Sequence, residues 1–149
     1  MTAFSYSFLD WIRARMLEVG SHVLTEETLF FHRELDIVQR IKSNISRIGW
    51  FVEVSNATIS PEERDTPNNR FADMAVEITI TRSPLSEFDT CPLAETLYAA
   101  FVGASTRPTN LPRVGEVWVG ELTASVDSSS GSILHSFTIT TKIDLTPRT

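Results

Sequence analysis

The chain has 149 residues, 42% of them hydrophobic, 9% aromatic and 21% charged. That is the common size of one domain with an ordinary apolar content, which excludes wholesale disorder and leaves little room for two full domains. Thirteen basic against nineteen acidic residues give a formal charge of −6, a sign that disfavours DNA or RNA held through its phosphates as the primary ligand.

The single cysteine, Cys91, excludes an internal disulfide and every multi-cysteine zinc or iron–sulfur site. No apolar run approaches the roughly 20 residues that span a bilayer. Asp10, Arg13 and Arg15 interrupt the N-terminus, so it lacks the basic region and long apolar stretch of a signal peptide. Together these features predict a soluble protein of a reducing cytoplasm, with no membrane partner.

In chain order, Phe8, Leu9, Ile12, Met16 and Val19 recur at helical spacing before Gly20, which predicts an amphipathic helix over 4–19. Its stripe, with Trp11 beside it, must cover either its own domain or a neighbouring subunit. A second helix is predicted over Glu26–Ile48, with Thr25 as N-cap and Glu26 and Glu27 at the positive end of the dipole. It would be about 35 Å long, so a break near Phe31–Arg33 is also open.

After Gly49 the period changes to that of strands. One is predicted over Trp50–Ile59, with Asn56–Ala57 as a bulge or turn. A polar loop, Ser60–Arg70, follows. Met74, Val76, Ile78 and Ile80 then alternate with Ala75, Glu77, Thr79 and Thr81 in a strand that Pro84 ends. Asp89 or Thr90 caps a helix reaching about Val102, with Pro92 in its first turn and Gly103 closing it. Two last strands, Glu116–Val126 and Ile133–Leu145, are joined by a hairpin loop at Asp127–Gly131. The order is helix, helix, strand, strand, helix, strand, strand. It predicts an α+β domain with a four-stranded, twisted, largely antiparallel sheet and helices packed on one face. Residues 1–20 form an N-terminal helical extension and 21–145 the core.

Catalytic patterns are sparse. There is no glycine-rich phosphate loop, no Gly-x-Ser-x-Gly elbow and no His-Glu-x-x-His pair in the sequence. His32 and Asp36 at i,i+4 would be a two-ligand metal edge, but a solvated helix face explains them more simply and no third ligand is in sight. Cys91 opens a helix, where the dipole would lower its pKa, and His135 would be its base; a packing role is the commoner one. Glu62, Glu63 and Asp65 lie in a polar loop between Arg64 and Arg70, without the cleft and fixed separation that paired acids need. The residues therefore predict no enzyme and no cofactor. Trp118 stands out, because it is out of phase with Val117 and Val119 and falls on the sheet face that helices leave open. Tryptophan and arginine are enriched at interfaces, so Trp11, Trp118, Arg64 and Arg70 are the candidate contact residues.

The stretch Phe71-Ala-Asp-Met-Ala-Val-Glu-Ile-Thr-Ile-Thr-Arg-Ser-Pro84, the loop after it and the aliphatic helix Pro92–Val102 resemble the tail terminator, or tail-completion, proteins of long-tailed phages and prophages. So does the final hairpin ending His135-Ser-Phe-Thr-Ile-Thr-Thr-Lys-Ile-Asp-Leu145. The likeness covers about Arg40–Leu145 and lies in pattern and order rather than in an invariant motif. This chain has Arg82-Ser83-Pro84 where many relatives carry Glu-Asn-Pro, and the helix before Gly20 looks like an addition. The resemblance implies a structural virion protein forming a six-fold ring at the head-proximal end of the tail tube. Its partners would be further copies of itself, the major tail tube protein and the head connector, with DNA passing through an acidic bore without specific binding. Under it, Trp118 and the first helix would make ring contacts, and Arg64 and Arg70 would dock on tube or connector. The alternatives are another neck or head-completion protein, a monomeric ligand-binding domain, or a small enzyme.

Overall fold

The structure is a computed structural model describing residues 3–61, 71–102, 108, 111 and 113–145. Its elements run α1 (Phe4–Gly20), β1 (Leu29–Phe31), α2 (Ile37–Arg47), β2 (Trp50–Val54), β3 (Thr58–Pro61) and β4 (Phe71–Arg82). Then come α3 (Cys91–Phe101), β5 (Val114–Val119), β6 (Thr123–Val126) and β7 (Ile133–Asp144). The architecture is α+β, with a mixed, open sheet of order β1-β2-β4-β7-β5, β3 lying beside β4 and β6 beside β7. Among the described residues only β1 and β2 pair in parallel; the remaining pairs are antiparallel.

The two 12-residue strands β4 and β7 form the centre, paired along their whole length from Phe71↔Asp144 to Arg82↔Ile133. Their alternation is the one the sequence predicts. Ala72, Met74, Val76, Ile78 and Ile80 of β4 are buried with Phe137, Ile139 and Ile143 of β7. Onto this face pack Phe8, Leu9, Ile12 and Met16 of α1 and Leu93, Ala94, Leu97 and Phe101 of α3, all in one core. Burying a side chain of this kind contributes about 1.5–3 kcal/mol. The stripe of α1 therefore covers its own domain.

Among the described residues, seven strands replace the expected four-stranded sheet, for two reasons. First, both flanking strands of the expected four are interrupted. Trp50–Ile59 becomes β2 and β3, which lie end to end along one side of β4, on Ile78–Arg82 and Ala72–Ala75 respectively. At the break the Ser55 hydroxyl accepts the Glu77 amide at 2.9 Å, substituting a side chain for a ladder bond. Likewise Glu116–Val126 becomes β5 and β6 along the outer side of β7, parted at Gly120–Leu122. Second, β1 arises within the segment expected to be helical.

The single helix over Glu26–Ile48 is not formed. Thr25–Thr28 is a turn, held by the Thr28 hydroxyl, which accepts the Thr25 amide at 2.9 Å and donates to the Val23 carbonyl at 3.1 Å. Leu29, Phe30 and Phe31 are all buried, which a helix offering one apolar face would not allow. As a strand, Leu29 and Phe31 join the main core beside Val52 and Val54, while Phe30 faces the other way. Tertiary burial on both faces outweighs the helical period.

The helices also do not share one face. Phe30 and Phe51, tilted against each other with centroids 6.0 Å apart, lie on the sheet's second face. There α2 covers them: the Arg40 guanidinium stands 5.2 Å over the Phe30 ring, and the Asn44 amide donates to the Glu27 carbonyl at 2.5 Å. α1 and α3 cover the first face; α2 covers the β1–β2 edge of the second.

Candidate functional site

Among the described residues, no helix covers the second face of the sheet beyond α2. Alternation in β4 and β7 puts Thr79, Thr81, Thr138 and Thr140 there, all half-buried. On β5, Val117 and Val119 turn to the core while Trp118, paired with Thr140, turns outward and is 46% exposed. Glu116 and Glu121 on either side of it are exposed. The edge is therefore a polar surface on which Glu116, Glu121 and Lys142 are exposed around one large aromatic ring.

Trp11 is elsewhere. It stacks on Phe8 with centroids 5.9 Å apart and meets Phe101 edge-on at 5.8 Å. That packing ties α1 to α3 on the first face, so Trp11 and Trp118 lie on opposite sides of the sheet and do not form one surface. Trp50, the third tryptophan, stacks on Phe88 at 4.4 Å. Arg64 and Arg70, with Glu62, Glu63 and Asp65, lie outside the described residues.

Two features escaped the sequence reading. One is the outer side of α2. Its apolar residues Val38 and Ile45 are exposed, as is Leu35 just ahead of it, and Asn44 is its one fully buried side chain. The spacing 35, 38, 45 carries that signal, but it fits equally the core-facing stripe of the longer helix expected over Glu26–Ile48. The other is an open groove of about 790 Å³ between α1, the 25–29 turn and α2. Glu34 accepts from Arg13 at 2.9 Å and from Arg40, while Arg33 pairs with Asp10. Arg13 also lies 4.3 Å over the Phe31 ring. Three arginines and three glutamates line the groove, so it has no net sign. Its chemistry is that of a clamp joining α1 to the chain ahead of α2.

The catalytic candidates are not brought together. The Cys91 thiol is exposed and is held above its ordinary pKa by partial desolvation and by the Glu95 and Asp89 carboxylates. This outweighs the helix dipole, which would act in the other direction. His135 points to the core side of β7, in register with Ile80 and Ala124, and its Nδ1 is buried without a partner among the described residues. His32 is in a turn, 2.7 Å from Glu53, and Asp36 lies at the N-cap of α2 rather than one helical turn away on a shared face. Among the described residues no three His, Cys, Asp or Glu side chains cluster as a metal site, and no helix is long and apolar enough to cross a membrane.

No protein-family model matches the chain, and no curated protein matches it. One solved structure aligns with 94% of this chain and 98% of its own, at 11% identity and a TM-score of 0.45. That similarity is too distant to carry an argument about function.

Proposed function

We propose that this chain is a structural virion protein, a ring-forming tail terminator that caps the head-proximal end of a phage tail tube and joins it to the head connector. The observation that carries the proposal is Trp118, 46% exposed on a sheet face of half-buried threonines. A large aromatic ring in such a setting is the kind of residue that anchors a protein contact. The supporting pattern is the long β4 running into Pro84, the aliphatic α3 and the closing β7, the same order on which the resemblance rests. An overall charge of −6 suits a ring whose bore passes DNA without holding it. The role is assembly, without catalysis or cofactor, in the tail or neck of the virion.

Light scattering over a range of concentration and salt, followed by negative-stain imaging with tail tubes, tests the proposal. Rings, or caps at tube ends, are the expected result. Binding to connectors but not tubes would move the role to another neck protein. A monomer that ignores both would overturn it.

A further inference from the structure

An amphipathic helix on a domain surface ordinarily turns its apolar stripe inward. α2 divides its apolar residues instead. Ile37 and Ile41 are half-buried on the inner side with Arg40 and Asn44. Val38 and Ile45 form an outer seam, 64 and 53% exposed, with Leu35, 100% exposed, in the turn just ahead of the helix. Lys42 sits in that seam, four residues after Val38 and three before Ile45, exposed and without an ion-pair partner among the described residues. Three basic residues, Arg40, Lys42 and Arg47, and no carboxylate lie in the helix. An aliphatic seam with a free positive charge calls for an exposed apolar side chain bordered by acids.

The opposite edge of the same sheet provides one. Trp118 of β5 is flanked by Glu116 and Glu121, both exposed and neither in an ion pair among the described residues. Resting on the ring reading above, we propose that α2 of one copy docks on the Trp118 edge of the next. Leu35, Val38 and Ile45 cover the indole, and Lys42 meets Glu116 and Glu121. The patches differ and lie at opposite edges, β1–β2 against β5, so the contact is head-to-tail. Repeated, such a contact generates a ring when its rotation closes and a filament when it does not.

Disulfide trapping in the full chain tests this, in a Cys91→Ser background that removes the exposed native thiol. Ile45→Cys alone should give no covalent dimer. Mixed with Glu116→Cys or Glu121→Cys it should give one, and the double variant should give a ladder ending at the ring number. Separately, Lys42→Glu should weaken self-association at least tenfold by sedimentation, and Glu116→Lys with Glu121→Lys on the neighbouring copy should recover it. Dimers from Ile45→Cys alone would mean α2 pairs with itself and would overturn the arrangement. Rings or tube caps that persist without cross-linking and without sensitivity to Lys42→Glu would overturn it too, while leaving the terminator proposal intact. A chain that stays monomeric and ignores tubes would overturn both.

Discussion

Glu34, in the turn between β1 and α2, accepts a hydrogen bond from Arg13 of α1 at 2.9 Å across 21 positions of sequence. Its second oxygen takes Arg40 of α2, so one carboxylate joins both helices at the margin of the sheet.

Glu34→Ala leaves two guanidinium groups short of an acceptor. Both arginines are partly solvated, with side-chain exposures of 40 and 34%, so the loss should be about 1–2 kcal/mol and smaller at high salt. Glu18→Ala, which removes the exposed 3.5 Å pair with Arg15, should change stability by less than about 0.5 kcal/mol. Urea denaturation of the two variants at low and high salt checks the contrast.

Because α1 is part of the core, removing one of its buried rings should approach the stability of the whole domain. Phe8 is completely buried, and Phe8→Ala should cost about 3–5 kcal/mol of a total near 5–15 kcal/mol. Leu17→Ala, at an exposed position on the same helix, should cost less than about 1 kcal/mol. Equal small effects in thermal denaturation would mean that α1 is an appendage.

Desolvation and the carboxylates of Glu95 and Asp89 raise the Cys91 pKa, so less thiolate is present at neutral pH than in an ordinary thiol. Alkylation of Cys91 should be slow at pH 7 and rise with a midpoint above the usual value of about 8.5. Glu95→Gln removes one of the raising charges and should move that midpoint down, speeding the reaction at pH 7. A pH–rate profile with iodoacetamide reads both effects.

The β6–β7 hairpin has an acid-sensitive turn. The Asp127 carboxylate accepts from the Ser129 hydroxyl at 2.7 Å and its amide at 2.9 Å, and these bonds lower its pKa. A depressed folded-state pKa means that the stabilisation is complete above the unfolded value, about 3.9, and is lost as pH falls through the folded one. The Asp127 carboxyl should therefore titrate below the unfolded value by NMR. Amide protection at Gly131, whose N–H donates to the Asp127 carbonyl at 2.7 Å, should fall only in that acidic range. Asp127→Ala should abolish the pH dependence.

What the sequence alone determined was the centre of the molecule. In β4 and β7 a period of two over twelve residues fixes the phase that turns Met74, Ile78, Phe137 and Ile139 to the core, and α1 and α3 have stripes matching that face. Local pattern and global packing agree there, and the outward phase of Trp118 follows from the same alternation. The segment from Thr25 to Ile48 was decided by tertiary structure. Its apolar residues fit a helical period, but Leu29–Phe31 gain more by burial on both faces beside β2, and the helix that remains is short and turned by its polar ties at Arg40 and Asn44. Whether a carboxylate such as Glu34 meets an arginine 21 residues away, or whether Val38 and Ile45 face protein or solvent, depends on where distant elements are placed. Periodicity carries the phase of a side chain within its own element and nothing about what lies opposite it.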